Sequence, residues 1–159
     1  MAAKMPRPTG DSTKTVLAHV ENTLDPIIFP DSRVLLLGSM PSPKSREIGF
    51  YFGNPQNRFW RVVAALYGEK PLKSIPEKID FCKRHHLALC DVLKACDIKG
   101  ASDASIANPI PHNIGALIQD SSICAIFTLG GTATKFYKRY TEQQTGIPAR
   151  QLPSTSPAN

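Results

Sequence analysis

No apolar run in this 159-residue chain approaches the ~20 residues needed to cross a bilayer, so no membrane span is expected. Its four cysteines, Cys82, Cys90, Cys96 and Cys124, form no CxxC pair and no Cys/His knuckle. That pattern speaks against a zinc or iron–sulfur centre, and the cysteines are expected to be reduced and mostly buried. Gly130-Gly131-Thr132 has neither Walker nor GxGxxG spacing and reads as a tight strand-to-helix connection. Gly38-Ser39-Met40-Pro41-Ser42 lacks the GxSxG elbow of an α/β hydrolase. Residues 1–15 are polar, without the apolar stretch of a secretory signal, so a cytoplasmic location is expected. Negative charge is also in short supply: 13 Asp and Glu against 19 Lys and Arg leave a net charge of +6. An anionic partner is favoured by that balance, because each neutralised phosphate releases counterions.

What is present suffices for one domain with a sizeable core. Residues 1–12 are expected to be a flexible lead-in and 13–159 a single domain. Val16, Leu17, Val20 and Leu24 fall on one side of a short helix over 13–24, stopped by Asp25-Pro26. Val34-Leu35-Leu36-Leu37 has the continuous apolar character of a strand buried on both faces. Phe59, Val62, Val63, Leu66 and Tyr67 recur with helical spacing up to Gly68, and Asn54-Pro55 supplies a cap followed by Pro at the first helical position. A further helix is expected over 77–86, with Ile79 and Phe81 or Cys82 inward. His85 and His86, after Lys83 and Arg84, read as a solvated cationic corner.

Strands are expected over 87–93, 123–129 and 149–152, with helices over 113–118 and around Ala133, Phe136, Tyr137 and Tyr140. Residues 100–111 read as a long irregular segment, of the kind that often carries function. Strands alternating with helices predict a three-layer α/β/α sandwich on a mainly parallel sheet. Ligands of such sheets bind at the carboxyl ends of the strands. The cleft is therefore expected among the loops that begin at Gly38-Ser39, Asp91, Gly130-Gly131 and Leu152-Pro153.

Two long segments carry the most specific signal. Residues 34–60, VLLLGSMPSPKSREIGFYFGNPQNRFW, run from a strand through a Gly-Ser-x-Pro-Ser turn and an aromatic cluster to Asn-Pro-x-Asn-Arg-Phe-Trp. Residues 152–159 read LPSTSPAN; between the two lie Leu89-Cys90-Asp91-Val92 and Gly100-Ala101-Ser102-Asp103-Ala104-Ser105-Ile106. In this order they resemble the hypoxanthine-DNA (deoxyinosine) glycosylases of the uracil-DNA glycosylase superfamily, from about Pro26 to the C-terminus. The resemblance implies hydrolysis of the N-glycosidic bond of a deaminated base in DNA, chiefly hypoxanthine; with no Lys at a recognisable nucleophile position, a monofunctional enzyme is expected, and a monomer. It implies no metal and no cofactor.

Many members of the superfamily carry Asn or Asp second after the first motif's Gly; here that position is Met40. Leu152 likewise stands where other branches have His or Asn. The resemblance therefore moves catalysis to Asn57, whose amide would reach the cleft beside the positive end of a helix. Helix capping is the rival account of Asn57, which would fall at the third helical position, and of Asn54, the expected N-cap. Phe52 matches the ring that stacks on the base, whereas Phe50 reads equally well as core. Ser39, Met40, Pro41 and Ser42 form the first loop facing base or DNA, and Ser154, Thr155 and Ser156 offer hydroxyls to phosphates. Asp91 is expected either to contact the base or water, or to cap the following turn. The family pattern continues into another helix beyond Asn159, so the chain is expected to be truncated there. Uracil, mismatch or xanthine specificity within the superfamily, and a non-catalytic nucleic-acid-binding domain, stay open; excision from single-lesion duplexes separates them.

Overall fold

A computed structural model of the chain describes residues 16–157. The expected lead-in over 1–12, the first residues of the expected helix over 13–24, and the question of truncation at Asn159 lie outside them. Central to the fold is β2 (Val34–Gly38), whose alternate side chains serve opposite faces. Leu35 and Leu37 enter one apolar cluster and Leu36 the other, so each face of the strand is dry. Parallel neighbours flank it: β3 (Leu87–Asp91) on one side and β6 (Ala125–Leu129) on the other, with β7 (Ala149–Leu152) outside β6. All pairings in this four-stranded sheet are parallel.

Helices cover both faces. On the Leu36 side, α2 (Phe59–Leu66) contributes Phe59, Trp60 and Val63, and α3 (Ile75–Arg84) contributes Phe81 and Cys82. On the Leu35/Leu37 side, α4 (Ile114–Ile118) and α5 (Gly131–Tyr140) bring Ile114, Ile118, Ala133, Phe136 and Tyr137. Short helices α1 (Pro43–Ile48) and α6 (Glu142–Thr145) complete the set. The layered α/β/α arrangement on a parallel sheet is the one the strand–helix alternation predicts.

A second, three-stranded antiparallel sheet was not anticipated: β1 (Ala18–Glu21), β4 (Leu93–Lys99) and β5 (Ser102–Pro111), in the order β1-β4-β5. It corrects two readings. In place of the expected helix, residues 18–21 form an edge strand paired with 95–98; Val20 packs on the core while Val16 and Leu17 are exposed. Tertiary pairing overrides the local spacing. Within the segment over 100–111, residues 102–111 form a strand, irregular in three register shifts against β4 and in the positive φ of Asn108 (+48°). The expected strand over 87–93 is two strands that meet at Val92.

Smaller corrections concern the helices. The one expected over 77–86 spans 75–84, and Ile79 is 37% exposed while both Phe81 and Cys82 are buried. His86 is exposed, but His85 is half-buried, stacked on Tyr67 with a ring-centroid distance of 3.9 Å and bonded to Glu69. Phe50 is core, 6% exposed and stacked on Trp60. Cys82, Cys90 and Cys96 are buried free thiols, and Cys124 is exposed.

Candidate active site

The carboxyl ends of the parallel strands align, with Gly38 opposite Asp91 and Leu129 opposite Leu152. Above them opens a cleft of about 880 Å³ that takes in residues 39–42, Phe52, Asn57, Asp91 and 154–156. The fold thus brings together the residues expected to face base, DNA or the reaction, except Asn54, which does not line the cleft.

The first wall is the turn after β2. Backbone N–H groups of Val92 and Leu93 donate to the carbonyls of Gly38 (2.8 Å) and Ser39 (3.1 Å), tying this turn to the β3–β4 junction. Met40 is 9% exposed and its side chain joins the core. Pro41 is buried, and Ser42 caps α1 by accepting from the Ser45 N–H at 3.1 Å. Ser45, not foreseen from sequence, is 3% exposed, and its hydroxyl oxygen accepts from the N–H groups of Gly53 (3.1 Å) and Asn54 (3.4 Å). It fixes the chain on which Phe52 and Asn57 are mounted.

Phe52 has φ of +52°, a left-handed conformation uncommon for a bulky side chain. Its ring is half-buried and stacks on Phe59 at 4.0 Å between centroids with 25° between planes. One face of the ring is thereby supported by the core, and the ring borders the cleft.

The helix after this segment begins later than its sequence signals suggest. Asn54 heads a turn in which its carbonyl accepts from the Asn57 N–H (2.8 Å), and its side chain accepts from the Gln56 N–H (3.0 Å). The expected N-cap at Asn54 is therefore incorrect: Arg58 occupies that position, without a side-chain bond, and the helix starts at Phe59. Pro55 sits in the turn rather than at the first helical position. Asn57 accordingly precedes the helix and lies outside its first turn. Its Oδ1 accepts from the Phe59 N–H at 2.9 Å, which fixes the amide at the helix entrance and leaves its NH₂ group without a bond among the described residues. From the opposite wall, the Thr155 carbonyl accepts from the Arg58 N–H at 3.0 Å, anchoring the 154–156 loop beside Asn57.

Asp91 forms the floor at 3% exposure. Burial pushes its carboxyl up to about 7, opposed by the Asn22 amide, which donates to Oδ2 at 3.1 Å, and reinforced by the negative charge of Asp103. The side chain bonds to Asn22, and the chain passes straight into β4; no cap of a following turn is formed. Asp103 is the second carboxylate of the cleft, and sequence reasoning did not single it out. It comes from the start of β5, and Ser39 Oγ donates to its Oδ2 at 2.9 Å. The residue as a whole is exposed, yet its carboxyl is enclosed enough for burial to raise it above its ordinary value against the pull of Ser39.

The model of the Uracil DNA glycosylase superfamily matches residues 26–159. The chain belongs to that superfamily. A hypoxanthine DNA glycosylase of Methanosarcina acetivorans is 29% identical over 134 residues, 84% of either chain. One of Methanosarcina barkeri is 36% identical over 83 residues, covering 51% of this chain and 52% of the relative. Among solved structures, the solution NMR structure of a Methanosarcina acetivorans protein, provisionally named a uracil DNA glycosylase, superposes with a TM-score of 0.75. It is 29% identical, and the match covers 86% of this chain and 84% of that one. Among the described residues, no helix is long and apolar enough to cross a membrane.

Proposed function

We propose that this member of the superfamily hydrolyses the N-glycosidic bond of a deaminated purine in DNA, chiefly hypoxanthine, and leaves an abasic site. The observation that carries the reading is the convergence of Phe52, Asn57 and Asp91 on one strand-end cleft. An enzyme acting on a base must extrude the nucleotide and hold the base outside the stack. The core-backed ring of Phe52 offers a platform for that base, worth ~1–3 kcal/mol in stacking. Asn57, held by its Oδ1, aims a fixed amide donor at the negative charge that the departing base acquires. Asp91, poised near neutrality, donates from its protonated form to a base acceptor such as O6 or N7 of hypoxanthine. The hydroxyls of 154–156 and the net charge of +6 favour the flanking phosphates.

Duplexes carrying a single hypoxanthine, uracil, xanthine or normal base test the reading, with abasic sites scored after alkali. Cleavage at hypoxanthine is expected. Excision of uracil alone would transfer the chain to that specificity, and binding without excision of any base would leave only a DNA-binding domain.

A further inference from the structure

We propose that Asp103 is a further catalytic residue of this cleft, and that its carboxylate holds and deprotonates the water that attacks C1′ of the extruded nucleotide. The inference rests on the glycosylase reading above and assigns that reaction its general base. Hydrolysis needs more than a grip on the base: a water must be aimed at the sugar, and negative charge must face the cation that forms there. The acidic side chains lining the cleft are Asp91 and Asp103. Asp91 lies at the floor, enclosed at 3% exposure and engaged by Asn22, where it meets the base.

Asp103 stands elsewhere. It borders both the main cleft and an adjoining recess of about 290 Å³ that it shares with Thr132, Lys135 and Ser154. Phe52, Asn57 and Asp91 line only the cleft, Lys135 lines only the recess, and Asp103, with Thr132 and Ser154, borders both. In a nucleotide, the group between base and phosphate is the sugar.

Its mounting is firm. Ser39, the donor to Oδ2, is 8% exposed and is itself fixed by the bond from Leu93 to its carbonyl. The hairpin that carries Asp103 turns at Gly100, with φ of +55°. Ser105 braces it, with its hydroxyl donating to the Ser102 carbonyl (2.6 Å) and accepting from the Lys99 N–H (2.8 Å). Oδ1 of Asp103 makes no bond among the described residues and is free to accept from water. In the step, water's oxygen bonds to C1′ while the C1′–N bond breaks and its electron pair leaves with the base. The proton lost by water passes to Asp103 Oδ1 and then to solvent, and the departing base takes a proton from solvent.

A clasp that merely ties the hairpin to the β2 turn would show the same Ser39–Asp103 bond, so the test separates the two roles. Asp103→Asn keeps an acceptor for Ser39 but loses the base. Its single-turnover excision of hypoxanthine is expected to fall by on the order of 10²-fold or more, with the melting temperature and duplex affinity of the parent. The acid limb of the pH–rate profile should vanish with it. Ser39→Ala keeps the carboxylate but removes the bond that lowers its pKa, so this limb should move to higher pH. Parental excision by a folded Asp103→Asn, or an unmoved acid limb in Ser39→Ala, overturns the proposal. If the parent chain excises nothing, the glycosylase reading itself fails and this proposal falls with it.

Discussion

A β-carbon placed on Gly38 would lie 2.5 Å from Oδ1 of Asp91, closer than real atoms approach. The last residue of β2 is thus bare because the last residue of β3 needs the space for a buried carboxyl. Gly38→Ala should cost ~1–3 kcal/mol, the scale of overpacking a close-packed interior. In an Asp91→Ala background the same change should cost clearly less. Denaturant unfolding of the two single variants and the double variant measures this coupling, and strictly additive costs would mean the contact is absent.

Asn57→Ala is expected to lower single-turnover excision by on the order of 10²-fold or more. Its lost acceptor for the Phe59 N–H should cost ~1 kcal/mol of stability and leave the protein folded. Asn54→Ala loses only the bond from Gln56 and should retain most of the chemistry. Excision rates and melts on the same samples decide, and an inactive Asn54→Ala beside an active Asn57→Ala would reverse the assignment.

Phe52→Ala should impair excision far more than folding if the ring, which rests on Phe59 and borders the cleft, is the platform for the base as proposed. The comparison is rate against melting temperature. Proportionate losses in both would make Phe52 a core ring.

The pH dependence of stability offers a separate check on Asp91. Unfolded, its carboxyl releases a proton at its ordinary value of 3.8; folded, it holds the proton to about pH 7. Between these values the folded state binds more protons, so this group's contribution to stability is full below the window and falls as pH rises through it. Asp91→Asn, neutral throughout, should therefore gain on the parent from pH 5 to pH 8. Melting curves across that range report it, and a constant difference between the two proteins would contradict the burial argument.

Affinity for undamaged duplex should fall steeply with salt, since phosphate contacts dominate non-specific binding and the chain carries net +6. A titration at low and at physiological salt measures the slope.

Where the sequence was legible, a single local signal sufficed. The run from Val34 to Leu37 announced a strand buried on both faces, and the spacing of Ala133, Phe136 and Tyr137 announced α5. From the strand ends followed the place of the cleft. The misreadings arose where distant parts of the chain decide. β1 is a strand because residues 74 to 80 positions later, such as Cys96 opposite Val20, complete its pairing, and no local spacing encodes that. β5 hid behind bulges that break its alternation. Asn54-Pro55 has the composition of a helix start but forms a turn, because Ser45 and the Asn54–Asn57 bond hold it. Asp103 gained its place through a hairpin that sequence alone left without shape.

Because β6 lies between β2 and β7, the order of synthesis sets when the protein becomes competent. A nascent chain stopped before Ala149 has made β2, β3 and β6, yet the outer edge of β6 is bare and open to pairing with another chain. The loop beside Asn57 has not yet been made either. An interrupted product would thus carry the bare edge of β6 and lack the loop that anchors beside Asn57; residues 149–156 supply both the β7 pairing and that loop.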